Sequence, residues 1–130
     1  MRFRHQIAGA KLTVVALELD NKSCPAIEYL RDLKARDADS HESMHGRIKY
    51  RADQLTITNR MISRPLTGKP YQGLYRLSTK SERLVYCFVK GGMVVLLNGY
   101  TKTDNEKSAW ERGRQYKSDL ETQLAKGVQP

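Results

Sequence analysis

Gly73-Leu74-Tyr75-Arg76-Leu77-Ser78, then Arg83-Leu84-Val85-Tyr86-Cys87-Phe88-Val89, then Val94-Val95-Leu96-Leu97-Asn98-Gly99-Tyr100-Thr101-Lys102 decide the fold. Each run carries β-branched or aromatic residues, and turn signals at Lys80-Ser81 and Gly91-Gly92 separate them. The spacing predicts three short antiparallel strands. A two-residue turn at Lys80-Ser81 would set Ser78 opposite Arg83 and Arg76 opposite Val85. Alternation then puts Arg76, Ser78 and Arg83 on one face. Tyr75, Leu77, Leu84, Tyr86 and Phe88 fall on the other, which is expected to pack against helices. The basic face is expected to be open, a surface on which an RNA backbone could lie.

Working outward, residues 12–19 read as a first, mostly buried strand. Asp20-Asn21-Lys22-Ser23 is a turn, and Ser23 can cap a helix whose first turn contains Pro25. Ile27, Leu30 and Leu33 share a face of that helix. Residues 36–42 break the apolar period, as a connection or a polar helix start. Met44, Ile48, Ala52 and Leu55 then predict a second amphipathic helix running to about residue 60. Arg64-Pro65-Leu66-Thr67-Gly68-Lys69-Pro70 reads as a loop. After the strands, Asp104 or Asn105 can cap a terminal helix with Ala109, Gly113, Tyr116, Leu120 and Leu124 on one face. Gly127 and Pro130 would end it. The expected class is α+β in a single domain over 1–130: an N-terminal strand, a two-helix hairpin, a three-stranded antiparallel meander and a C-terminal helix.

The formal net charge of +9 favours nucleic acid, an acidic protein or anionic lipid as partner. Cys24 and Cys87 make no disulfide framework, and Cys87 reads as a small buried hydrophobe. Lys11, Glu18 and Asp20 interrupt the apolar run after the basic N-terminus, so no signal peptide is expected. No stretch approaches the length of a membrane span. The expected location is the cytoplasm, with no membrane partner.

The strand run Gly73-Leu74-Tyr75-Arg76-Leu77-Ser78, the later Val95-Leu96-Leu97-Asn98-Gly99-Tyr100-Thr101-Lys102 and the upstream Ser23-Cys24-Pro25-Ala26-Ile27-Glu28-Tyr29-Leu30-Arg31-Asp32-Leu33 together resemble the RelE/ParE superfamily of bacterial toxins. The likeness is to its HigB-like and phage Gp49-like branch, and it covers about residues 11 to 102 in order. The resemblance implies a type II toxin: an endoribonuclease needing no metal or cofactor, cutting mRNA in the ribosomal A site beside rRNA. It also implies a cognate antitoxin, of helix-turn-helix type, as protein partner. Tyr100 and Lys102 match positions that often serve catalysis in such proteins. With Arg76 and Arg83 they form the candidate catalytic set. Lys69, Ser78 and Asn98 are candidate RNA contacts. Asn98 stands where many relatives have His. Ser78 stands where the family usually has Arg, and Arg76, two residues earlier on the same face, can replace that charge. Lys107, Arg112 and Arg114 make the terminal helix basic and are further RNA-contact candidates. A gyrase-binding, non-enzymatic toxin of the ParE kind is the first alternative.

The second alternative rests on His41-Glu42-Ser43-Met44-His45, an H-E-x-x-H match. On a helix, His41 and His45 would share a face and could hold zinc, with Glu42 as general base. The flanks Asp37, Asp39, Ser40, Gly46 and Arg47 are polar, unlike a buried metalloprotease helix. The only other histidine, His5, lies on the basic terminus. Trp110 and Tyr116 could stack on a base, but as helix residues they read first as packing anchors.

Overall fold

The period-two runs form strands, and β-branched and aromatic side chains fill both faces of the sheet they build. The computed structural model describes residues 1–130. The elements in chain order are β1 (Arg2–Ala8), β2 (Thr13–Glu18), α1 (Pro25–Arg36), α2 (Ala38–Asp53), β3 (Ser63–Pro65), β4 (Tyr75–Ser78), β5 (Glu82–Val89), β6 (Met93–Thr101) and α3 (Glu106–Ala125), with a short 3₁₀ turn over Lys69–Tyr71. The fold is α+β. One six-stranded sheet has the order β1-β2-β6-β5-β4-β3, in which β2 and β6 are parallel and the other neighbours antiparallel.

The sheet is larger than the single strand and three-strand meander read from sequence. Two strands were not anticipated, one at each edge. Strand β1 has a register shift between Arg4 and Ile7, and His5 takes φ of 54°, so its alternation is broken. Strand β3 spans three residues and overlaps the start of the expected loop, and its Pro65 is tolerated because β3 is an edge strand. The register at the β4–β5 turn is the one the two-residue loop implies: Ser78 pairs with Arg83 and Arg76 with Val85. Gly91 and Gly92 both adopt positive φ between β5 and β6, which glycine alone does without strain.

Two cores sandwich the sheet. On one face Leu33 of α1 and Met44, Ile48 and Ala52 of α2 pack against Val14, Leu77, Leu84, Tyr86 and Leu96. On the other, Ala109, Trp110 and Leu120 of α3 pack against Val15, Leu17, Val85, Cys87, Val95 and Leu97. The expectation that the face carrying Arg76, Ser78 and Arg83 is open is therefore corrected. Helix α3 lies across most of that face because Val85, Cys87, Val95 and Leu97 make it apolar, and burying each such side chain is worth roughly 1.5–3 kcal/mol. The corner beyond the N-terminus of α3 stays uncovered.

Helix boundaries also differ. Cys24, not Ser23, is the N-cap of α1, and its backbone N–H is received by the Glu28 carboxylate at 2.7 Å. Asp37 ends α1 and caps α2 by accepting from Ser40 N–H, so the connection is one residue long. Helix α2 stops at Asp53 rather than near residue 60, and Leu55, which extended its apparent period, is exposed. Asn105 caps α3 by accepting from Ser108 N–H at 3.0 Å.

A candidate anion-binding groove

The uncovered corner is built by β3, β4, β5 and the start of α3. Strand pairing sets Arg64 beside Arg76, and Ser78 beside Arg83. The segment entering β3 brings Arg60 to the same place. These residues, with Met61, Thr79 and Lys80, line a hollow of about 240 Å³. A second hollow of about 270 Å³ continues from it, sharing Arg60, Arg64 and Arg76 and reaching Glu106 and Trp110. Five cations thus line two adjoining hollows in which Glu106 is the single acidic residue.

Hydrogen bonds fix part of this array and leave part of it unsatisfied. Arg76 Nη1 donates to Glu106 Oε1 at 2.9 Å. Arg83 Nη1 donates to the carbonyl oxygens of Thr79 at 2.7 Å and Glu82 at 2.9 Å. The Nε–H groups of Arg76 and Arg83 are buried without a hydrogen-bond partner. A buried donor left unpaired costs about 1–3 kcal/mol, so two adjacent guanidinium groups are short of acceptors. Burial pushes the Arg83 pKa down, and the neighbouring charge of Arg76 pushes it further. The planar guanidinium fork matches phosphate, and the hollow beside Arg76 and Arg83 leaves room for one.

Beneath the groove, Tyr100 Oη donates to Glu106 Oε1 at 2.8 Å and receives Trp110 Nε1–H at 2.9 Å. Burial raises the Tyr100 phenol above its ordinary value, with Trp110 opposing and Glu106 reinforcing the rise. Tyr100 is 2% exposed, so it supports Glu106 from below and does not reach the groove surface.

The expected site residues divide accordingly. Arg76, Ser78 and Arg83 come together, with Tyr100 under them. Lys102 lies just past β6, its backbone N–H bonded to Ser81 at 2.9 Å, and it lines neither hollow. Lys69 lies in the 3₁₀ turn and lines a separate hollow with Gln72 and Tyr75. Asn98 is 3% exposed and donates its amide to the Ala109 carbonyl at 3.0 Å. It fastens α3 to β6, so its expected role as an RNA contact is corrected. Lys107 sits 4.6 Å from the Trp110 ring and 5.3 Å from the Tyr71 ring. Arg112 donates to Ser108 Oγ, and Arg114 pairs with Glu111, both on exposed turns of α3.

Sequence reasoning missed Arg60, Arg64, Lys80 and Glu106. Arg60 falls at the end of the helix expected to run to about residue 60 and Arg64 in the expected loop, because a three-residue strand leaves no periodic signal. The turn position of Lys80 was visible, but its face was not.

His41 and His45 are one turn apart on α2, with His41 partly exposed and His45 exposed; Met44 between them enters the core. Burial and the charges of Lys34 and His45 lower the His41 pKa. No group of three or more His, Cys, Asp and Glu side chains is placed to hold a metal ion, so the pair stands without a third ligand. No helix is long and apolar enough to cross a membrane. No protein-family model matches the chain, and no curated protein matches it either.

Proposed function

We propose that this chain is the toxin of a type II toxin–antitoxin pair, a metal-independent endoribonuclease that cuts mRNA in the ribosomal A site. The observation that carries the reading is the arginine groove, with its two unpaired Nε donors beside a hollow of about 240 Å³. The α+β class, with β4, β5 and β6 as neighbours in one sheet, is compatible with this reading. In this reading Arg83 and Arg76 bind the scissile phosphate and stabilise the charge that develops on it. Arg60, Arg64 and Lys80 hold the flanking backbone, and Ser78 offers a hydroxyl. Lys102, just past the end of β6, would meet rRNA. A cognate antitoxin with acidic segments would cover the groove, and the work is done in the cytoplasm.

The test is expression in a bacterial host followed by cleavage on purified, mRNA-programmed ribosomes. Methionine incorporation should fall before thymidine incorporation, and cut mRNA should appear in the presence of a metal chelator. A block of DNA synthesis that precedes the block of translation would favour the gyrase-binding alternative instead.

A further inference from the structure

Cleaving an RNA phosphodiester without metal needs a group that takes the proton from the 2′-hydroxyl. Arginine cannot be that group, since it stays charged in proteins. No histidine lines either hollow of the groove. His5 is on β1, and His41 and His45 are on α2, on the far side of the sheet from α3. Lys80 is exposed in the β4–β5 turn, without the burial that activates a lysine as a base. Tyr100 is buried, and its hydroxyl hydrogen is already given to Glu106. Lys102 lines neither hollow, and among the lining residues Glu106 alone offers a carboxylate as proton acceptor.

We infer that Glu106 is the general base of the groove, held in place by Arg76 and Tyr100, and that the groove's substrate is therefore a phosphodiester flanked by a 2′-hydroxyl. This rests on the ribonuclease reading above. Both fixing hydrogen bonds, from Arg76 Nη1 and Tyr100 Oη, fall on Oε1, at 2.9 and 2.8 Å. Oε2 has no protein partner, and the side chain is 41% exposed at the groove. The carboxylate is thus anchored by one oxygen and presents the other.

The step balances as follows. Oε2 takes the 2′-hydroxyl proton, and the 2′-oxygen forms a bond to phosphorus. The bond from phosphorus to the 5′-oxygen breaks, and that oxygen takes a proton from water. Glu106 then returns its proton to solvent. The products are a 2′,3′-cyclic phosphate and a 5′-hydroxyl, with no oxidant or metal consumed. Arg76 touches the base directly and lines both hollows, so phosphate and base are aligned by one guanidinium. DNA can enter the groove but lacks the nucleophile. Tyr100, itself held by Trp110, acts as a positioning residue.

The experiment compares wild type, Glu106→Gln, Glu106→Asp and Tyr100→Phe on mRNA-programmed ribosomes, with ribosome co-sedimentation and melting curves for each. Glu106→Gln should cut at least ~100-fold more slowly, the usual scale of lost general-base catalysis, while co-sedimenting and melting as wild type does. Glu106→Asp should recover part of the rate. Tyr100→Phe removes a donor to the carboxylate and should lower kcat while leaving KM and co-sedimentation unchanged, which mere loosening of the fold would not do. A message carrying one 2′-deoxynucleotide at the cut site should resist the wild type. Glu106→Gln cutting at the wild-type rate would overturn the assignment while leaving the ribonuclease standing. A wild type that cuts no RNA, deoxy-substituted or not, would overturn both.

Discussion

Two clusters built around buried or half-buried arginine lie on opposite faces of the sheet, and they differ in how their donors are used. On the α1–α2 side, Arg51 is 2% exposed and has no carboxylate partner. Its Nε donates to Tyr86 Oη at 2.9 Å and its Nη1 to the Gln54 carbonyl at 2.7 Å. The guanidinium also lies 5.0 Å from the Phe88 ring and 5.8 Å from that of Tyr86. This cation is closed in by aromatic faces and neutral acceptors, and Ser63 completes the chain at Tyr86 Oη. On the α3 side, Arg76 and Arg83 keep unpaired donors beside a hollow lined by three further cations. Burial of charge alone therefore does not mark a site here. A shortage of acceptors next to an open volume does.

Removing Arg51 should break the closed cluster most severely. Arg51→Ala leaves a cavity under Phe88 and takes the partners of Tyr86 Oη and the Gln54 carbonyl, at a cost of about 3 kcal/mol or more. Urea denaturation should register this loss. Any protein that stays folded should bind RNA as wild type does, because Arg51 faces away from the groove. If Arg51→Ala melted normally yet lost RNA binding, the roles assigned to the two clusters would be reversed.

Arg83→Ala should give the opposite pattern. Losing a cation that stabilises a phosphorane costs about 100-fold in cleavage rate, or about 2.7 kcal/mol of barrier. Stability should move within ~1 kcal/mol, because the two carbonyls released by Nη1 are offset by relief of the repulsion from Arg76. Single-turnover cleavage beside melting curves reads both quantities. A variant that cuts at full rate would remove the groove from the chemistry.

Part of each cluster was legible from the sequence: Tyr86 and Phe88 of the closed one, and Arg76, Ser78 and Arg83 of the open one. The two-residue turn and strict alternation give the Ser78–Arg83 register directly, hence the shared face of Arg76, Ser78 and Arg83. The same alternation placed Tyr86 and Phe88 toward the helices. The cover over the basic face was not recognised, although β5 and β6 carry the signal for it. Val85, Cys87, Val95 and Leu97 share that face, and near-continuous apolar runs indicate burial on both sides. Tyr100 and Asn98 were accordingly taken for surface groups when both are fastened under α3. Arg60 and Arg64 could not be placed, because Leu55 prolonged the apparent period of α2 while a three-residue strand offers no period at all. Glu106 carried no motif, and its position depends on where α3 starts relative to Arg76, which is a long-range contact.

Inorganic phosphate should sharpen the contrast with a smaller effect. An anion that binds only the folded groove adds roughly 1.4 kcal/mol of stability at ten times its dissociation constant. Thermal melting in rising phosphate at constant ionic strength should show the increase for wild type and for Arg51→Lys, but not for Arg83→Ala. An equal rise in all three would mean that the anion acts on the solvent or on the general surface rather than at unpaired donors.

The smallest expected effect compares the two tyrosines at the heads of the clusters. Burial raises the pKa of both Tyr86 and Tyr100 above the ordinary value of about 10. A folded state that holds its phenolic proton more tightly than the unfolded chain gains stability that is complete below pH ~10 and is lost as pH rises through the folded value. Denaturation midpoints should therefore hold between pH 8 and 9 and fall above. The half-buried Tyr29 phenol and the buried Cys87 thiol, the thiol pushed up to about 12, contribute to the same fall in every variant and cancel in comparisons. The neighbouring charges then act with opposite signs. Arg51 pulls the Tyr86 phenol down, whereas Glu106 pushes the Tyr100 phenol up. Glu106→Gln should soften the alkaline fall, and Arg51→Met, in whatever fraction folds, should steepen it, each by less than ~1 kcal/mol across the range. Tyr100→Phe should abolish the Glu106→Gln effect, since the phenol that senses the carboxylate is gone. Should the softening persist in the Tyr100→Phe background, Glu106 would be acting on some other group, and the hydrogen bond that anchors its Oε1 would not be the one that sets its place in the groove.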